Sequence, residues 1–213
     1  MACAICETRK PKRFCPGVRG EICAICCGTE REVTVDCPLD CEYLIESRRH
    51  DKPSGIDVAD LPNRDIQVTE SMLDRQKPLL LYLSGAMIRT AMETPGLVDW
   101  DMREALDALT RTYRTLQSGV FYESRPTNPL AAVVYEAVQQ AVPEFRKLEQ
   151  DQLGMTRTRD ADVLAMLVFL QHFELDRNNG RKRSRAFIQT LGSFYIEMMP
   201  PQEPERGSSL VVP

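Results

Sequence analysis

All eight cysteines of this 213-residue chain fall within its first 41 residues: Cys3, Cys6, Cys15, Cys23, Cys26, Cys27, Cys37 and Cys41. The tetrapeptide Cys-Ala-Ile-Cys occurs twice, at Cys3–Cys6 and at Cys23–Cys26, with 16 residues between the two pairs. A Cys-x-x-Cys loop turns both sulfurs toward one point, and thiolates suit a borderline-soft tetrahedral ion, so this spacing is that of a four-cysteine zinc site. We assign Cys3, Cys6, Cys23 and Cys26 to a first site. Cys15, Cys27, Cys37 and Cys41 then make a second, and two Zn2+ ions are expected. Spacing alone leaves Cys27 exchangeable with Cys26, and His50 available as a late ligand. A [4Fe–4S] cluster also takes four thiolates, and disulfides are a further alternative that the missing secretory signal disfavours.

The second set has its own local logic. Arg13-Phe14-Cys15 and Glu21-Ile22-Cys23 flank Pro16-Gly17-Val18-Arg19-Gly20, which reads as a hairpin. Glu32-Val33-Thr34-Val35 alternates like a short strand. Asp36 and Cys37-Pro38 resemble a helix start with proline at the first position, which would put Cys37 and Cys41 on one opening turn. Hairpin, strand, then helix-borne ligands resembles the treble-clef fingers, and two interleaved sites resemble the RING and MYND cross-brace. The resemblance spans about a quarter of the chain, without a histidine ligand and with the adjacent pair Cys26-Cys27 as departures. Cys-Cys-Gly-Thr-x-Arg followed by Cys-Pro-x-Asp-Cys-x-Tyr-Leu is also similar to the N-terminal module of uncharacterised bacterial proteins, a likeness that implies no activity. Too few apolar residues accompany the cysteines to fold 50 residues unaided. Metal would supply on the order of 10 kcal/mol of folding free energy per structural site.

The elements that must carry this module follow from the rest of the chain, which has no cysteine. Residues 1–50 read as the zinc-binding module, 51–66 as a polar linker, 67–199 as a helical bundle and 200–213, with four prolines, as a disordered tail. The fold class expected is mainly α, a small treble-clef-like α+β module followed by about five helices. Pro78 sits near the start of a helix running to about Glu93. Asp101 and Glu104 suggest a capping box for a second, and Asn128-Pro129 starts a third that Pro143 should kink or end. A fourth, from about Asp160 to Leu175, is apolar over most of its girth and should be central. The last spans about Ser184 to Met199.

Composition narrows the function. The chain is 43% hydrophobic and carries 27 basic against 31 acidic residues, a net charge of −4. The module is neutral, with nine of each sign through Lys52. No basic-then-apolar leader opens the chain and no apolar stretch approaches a membrane span, so a cytoplasmic protein is expected. No catalytic set is legible: the two histidines, His50 and His172, stand apart, and the metalloprotease, P-loop, dinucleotide and nucleophile-elbow motifs are missing. The expectation is a non-enzymatic adaptor or regulator that binds a protein partner, with self-association as a further possibility. Two basic clusters support an alternative, a nucleic-acid-binding regulator: Arg9, Lys10, Lys12, Arg13 and Arg19 in the module, and Arg181, Lys182, Arg183 and Arg185 between the last helices. A third possibility is a zinc–thiolate redox switch.

Overall fold

The computed structural model describes residues 2–51, 55–119 and 122–199; the proline-rich segment 200–213 lies outside the described residues. Among the described residues the chain is mainly helical, with one two-stranded sheet. β1 (Arg13–Cys15) and β2 (Gly20–Ile22) form the antiparallel hairpin expected from the sequence, with Arg13 opposite Ile22 and Cys15 opposite Gly20. At its tip Gly17 lies so close to Val35 and Asp36 that a Cβ would stand 2.5 Å from the Asp36 carbonyl oxygen. The hairpin can reach the 35–37 segment only because that residue has no side chain.

α1 (Ala24–Glu30) follows directly, with Cys23 as its N-cap. The strand expected at 32–35 is absent, and so is the helix start at 36–38. The backbone amides of Val33, Thr34 and Val35 all donate to the Glu30 carbonyl, closing a turn in which Glu32 has a φ of 53°. The turn aims the Glu32 side chain inward instead of letting it alternate outward along a strand. α2 (Glu42–Arg48) begins four residues later than expected, capped by Cys41.

Among the described residues the bundle consists of the short α3 (Glu70–Arg75) and five long helices: α4 (Lys77–Glu93), α5 (Asp99–Gln117), α6 (Pro129–Leu153), α7 (Asp160–Arg177) and α8 (Ala186–Met198). α5 lies against α6 and α7, while α4 lies against α6 and α8. α7 is buried on nearly every side, including Val163 through Val168 in succession, as an all-round apolar helix must be. Two local expectations need correction. Asp101 is not the cap of α5 but its third residue, where its carboxylate accepts the Val98 amide at 2.9 Å. The first turn starts earlier because Asp99 is buried and its amide donates to the Ser184 carbonyl. Pro143 does not end α6, which continues ten residues beyond it to Leu153 and closes on Gly154 at φ 72°.

Within 51–66 the chain is already tied to the bundle. Asn63 accepts from Arg114 and donates to Gln171, Asp65 pairs with Arg114, and the Pro62 carbonyl lies 2.6 Å from His172 Nε2. His172 is thus occupied at the boundary between linker and α7.

Candidate metal centre

The two Cys-Ala-Ile-Cys repeats converge. The Sγ atoms of Cys3, Cys6, Cys23 and Cys26 all lie within 4.8 Å of one another. Cys3, Cys23 and Cys26 are buried and Cys6 is partly so. Three pieces of local structure produce this. The turn after Cys3 is closed by the Glu7 amide donating to the Cys3 carbonyl and by the Cys3 amide donating to Arg9. The Ala4 amide pairs with the Glu21 carbonyl, which pins that turn to the hairpin. The hairpin then delivers Cys23 to the N-terminus of α1, whose first turn holds Cys26.

Backbone amides are aimed at the sulfurs. The Cys23 amide donates to Cys3 Sγ at 3.2 Å, and the Cys26 amide donates to Cys23 Sγ at 3.4 Å. Donors to sulfur favour the thiolate. The Thr8 side chain, helped by the Thr8 and Arg9 amides, brings the Cys6 thiol down to about 5. A hydrogen bond to Cys23 and the charges of the neighbouring sulfurs hold the Arg9 guanidinium in its charged form. Cys26 moves the other way, pushed up to about 12 by burial and by the other three sulfurs. A buried quartet of thiols cannot all ionise unless a cation shares the site. The residues fit one metal ion.

The other four cysteines are not gathered in this way. Among the described residues no second group of three or more Cys, His, Asp or Glu donors is gathered this closely. Cys27 Sγ instead accepts from the Arg13 and Arg31 guanidiniums, each at 3.7 Å. Burial raises the Cys37 thiol, with Cys15, Glu32 and Cys41 adding their charges. Cys37 therefore lies within electrostatic reach of both Cys15 and Cys41. His50 is exposed just beyond the end of α2, 3.4 Å from Glu46, and is not gathered with the cysteines.

The basic clusters are partly consumed. In the first, Arg9 serves the thiolates and Arg13 lies 4.0 Å over the Tyr43 ring. Lys10, Lys12 and Arg19 are exposed, as is Phe14. In the second, Arg185 reaches Asp36 and the Leu97 carbonyl, and Arg181 donates to the carbonyls of Gly28 and Arg31. Lys182 and Arg183 are exposed.

The residue that sequence patterning missed is Glu32. It is 2% exposed and accepts from Arg48, Asn179 and the Arg185 amide, while its own carbonyl accepts the Arg183 amide. It fastens the cysteine-rich segment to the loop between α7 and α8. Its partners stand up to 153 positions away, so no local signal could have marked it. No family model matches this chain, and no curated protein or solved structure matches it either.

Proposed function

We propose that the cysteine-rich segment is a zinc-held scaffold and that the protein acts as a non-enzymatic adaptor or regulator through a protein partner. The observation that carries this is the closed quartet Cys3, Cys6, Cys23 and Cys26. A tetrahedral zinc with bonds of about 2.3 Å holds its sulfurs about 3.8 Å apart, inside the 4.8 Å within which these four lie of one another. A cubane cluster binds each thiolate to a different iron and needs them further apart. Four protein donors leave no open position for substrate, so the ion's chemistry here is a cross-link between two chain segments.

The order of the pieces supports kinship with the treble-clef fingers. A cysteine turn, a hairpin and a helix N-terminus bring the ligands together, and the helix-borne pair is Cys23 and Cys26 in place of Cys37 and Cys41. A second zinc on Cys15, Cys37 and Cys41 draws support from the Gly17 contact, which folds the hairpin tip against the 35–37 segment. Cys27 is its fourth ligand only if it leaves Arg13 and Arg31.

Metal analysis of the purified chain tests the scaffold. Two zinc ions per chain are expected, one would remove the second site, and none would overturn the reading. Affinity capture with the intact protein tests the adaptor role. A specific protein partner, lost when Cys3 and Cys6 are both changed to serine, is the expected result; an inert monomer would refute it.

A further inference from the structure

Where the loop between α7 and α8 passes the start of α5, the surface opens into a cleft with two lobes that share Arg103, Asn178, Gly180 and Arg181. Each lobe encloses about 450 Å³, within the ~300–1,000 Å³ typical of small-ligand sites. One lobe is completed by Val98, Trp100 and Lys182, the other by Asp51, Ile56, Leu175 and Asn179. Trp100 is the single tryptophan of the chain and is 61% exposed. The Arg103 guanidinium lies 5.7 Å from its ring centroid and is held there by both oxygens of the buried Glu174. The ring is therefore presented by a fixed neighbour yet remains accessible.

The charges are arranged unevenly. Glu174 neutralises Arg103. Arg181 is held by carbonyl oxygens alone, and among the described residues no carboxylate pairs with Arg181 or Lys182. Two uncompensated cations thus border the lobe that contains the indole. Asp51 is the acid of the far lobe, where it would repel an anion. The loop that carries the cations is braced: the Asn178 and Asn179 side chains each accept a loop amide, and each donates to a glutamate.

We propose that this cleft binds a nucleoside phosphate, with the base stacked on Trp100 and the phosphate between Arg181 and Lys182. An aromatic platform beside cations that no carboxylate neutralises is the pairing that such a ligand requires. The ring meets the base and the cations meet the phosphate, Arg181 through guanidinium nitrogens other than the Nη1 that binds the two carbonyls. The ligand is either a free nucleotide or one unit of a single strand. The proposal stands apart from the zinc reading, because none of the cysteines lines the cleft.

Since Trp100 is the one tryptophan, its emission in the intact protein reports on this site. Titration with 5′-AMP should quench it saturably, with adenosine binding about tenfold more weakly for lack of the charged group. Lys182→Ala, an exposed substitution, should weaken AMP about tenfold and leave adenosine unchanged. A short oligodeoxyadenylate that binds much more tightly than AMP assigns the ligand to a strand; equal affinity per site assigns it to the free nucleotide. No saturable quenching by either probe would overturn the proposal. So would adenosine matching AMP, or Lys182→Ala binding AMP as the parent chain does. Unchanged circular dichroism of the variant confirms that a lost signal is lost binding.

Discussion

Single residues in this protein are set mainly by what surrounds them. Asp99 is the clearest case: burial raises its carboxyl to about 6, even though Ser184 and the amides of Ile188 and Phe187 all donate to it. Its folded value is above the unfolded one, so its contribution to stability is fully present below about pH 4. That contribution is lost as the pH rises through about 6, on the order of 3 kcal/mol. Thermal denaturation from pH 4 to 7 should show this loss. Asp99→Asn should remove that pH dependence whatever it does to absolute stability; an unchanged slope would mean that Asp99 titrates normally. Glu174 is also raised by burial, with Arg103 opposing the shift. Its titration adds to the parent slope, and the Asp99→Asn difference isolates Asp99.

At the scale of elements, local signals decided the helices and failed where the chain turns. Asn128 caps α6 through its Oδ1, which accepts the Leu130 amide, with Pro129 in the first turn as the sequence indicated. Pro143 is different. It is exposed and interrupts a helix that tertiary packing nevertheless carries through, with Val138, Ala141 and Val142 buried around it. Replacing it by alanine restores one backbone hydrogen bond without disturbing the core. Pro143→Ala should therefore raise the urea midpoint and stabilise the chain by about 1–3 kcal/mol; a lower midpoint would show that the helix needs its proline. Gly17→Ala should act in the opposite sense. A methyl group there meets a backbone carbonyl, so the hairpin tip must part from the 35–37 segment, and amide exchange at Cys15 and Cys37 should accelerate.

The whole molecule has two sources of order. The bundle has a large apolar core that runs from Leu79 to Leu191, whereas among the described residues of the cysteine-rich segment Ile22 and Val35 are buried with the sulfurs and Leu44 is buried apart from them. A strong chelator should therefore abolish the helical signal of α1 and α2 and leave that of α4–α8, a partial loss of ellipticity that added zinc reverses. Complete unfolding would show that the bundle depends on the metal as well. Glu32 joins the two parts. Removing its charge leaves the half-buried Arg48 without its carboxylate, and two other buried Arg48 nitrogens already lack partners. Glu32→Gln should cost about 3–5 kcal/mol at the junction. Limited proteolysis should then cut between residues 49 and 61 first, while the metal content stays unchanged.

The sequence by itself marked one cysteine quartet and the long helices of the bundle. Cysteine spacing marked Cys3, Cys6 and Cys23 with Cys26 or Cys27 as one set, because a Cys-x-x-Cys loop aims its sulfurs by local geometry alone, and the fold chose Cys26. Apolar periodicity and the cap at Asn128 marked the bundle, because both act within a few residues, whereas the close of α6 on Gly154 was not read from the sequence. What only the tertiary structure decided are the features made across long separations. These are the inward turn of Glu32, the burial that starts α5 at Asp99, and the diversion of Arg181 and Arg185 from solvent to the α7–α8 junction. The cleft that sets Trp100 beside Lys182 belongs with them, since residues 82 positions apart share a site only after the helices have packed. A side chain's charge and shape are written in the sequence, but its partner is chosen by the fold, because burial and distance fix the cost of leaving it alone.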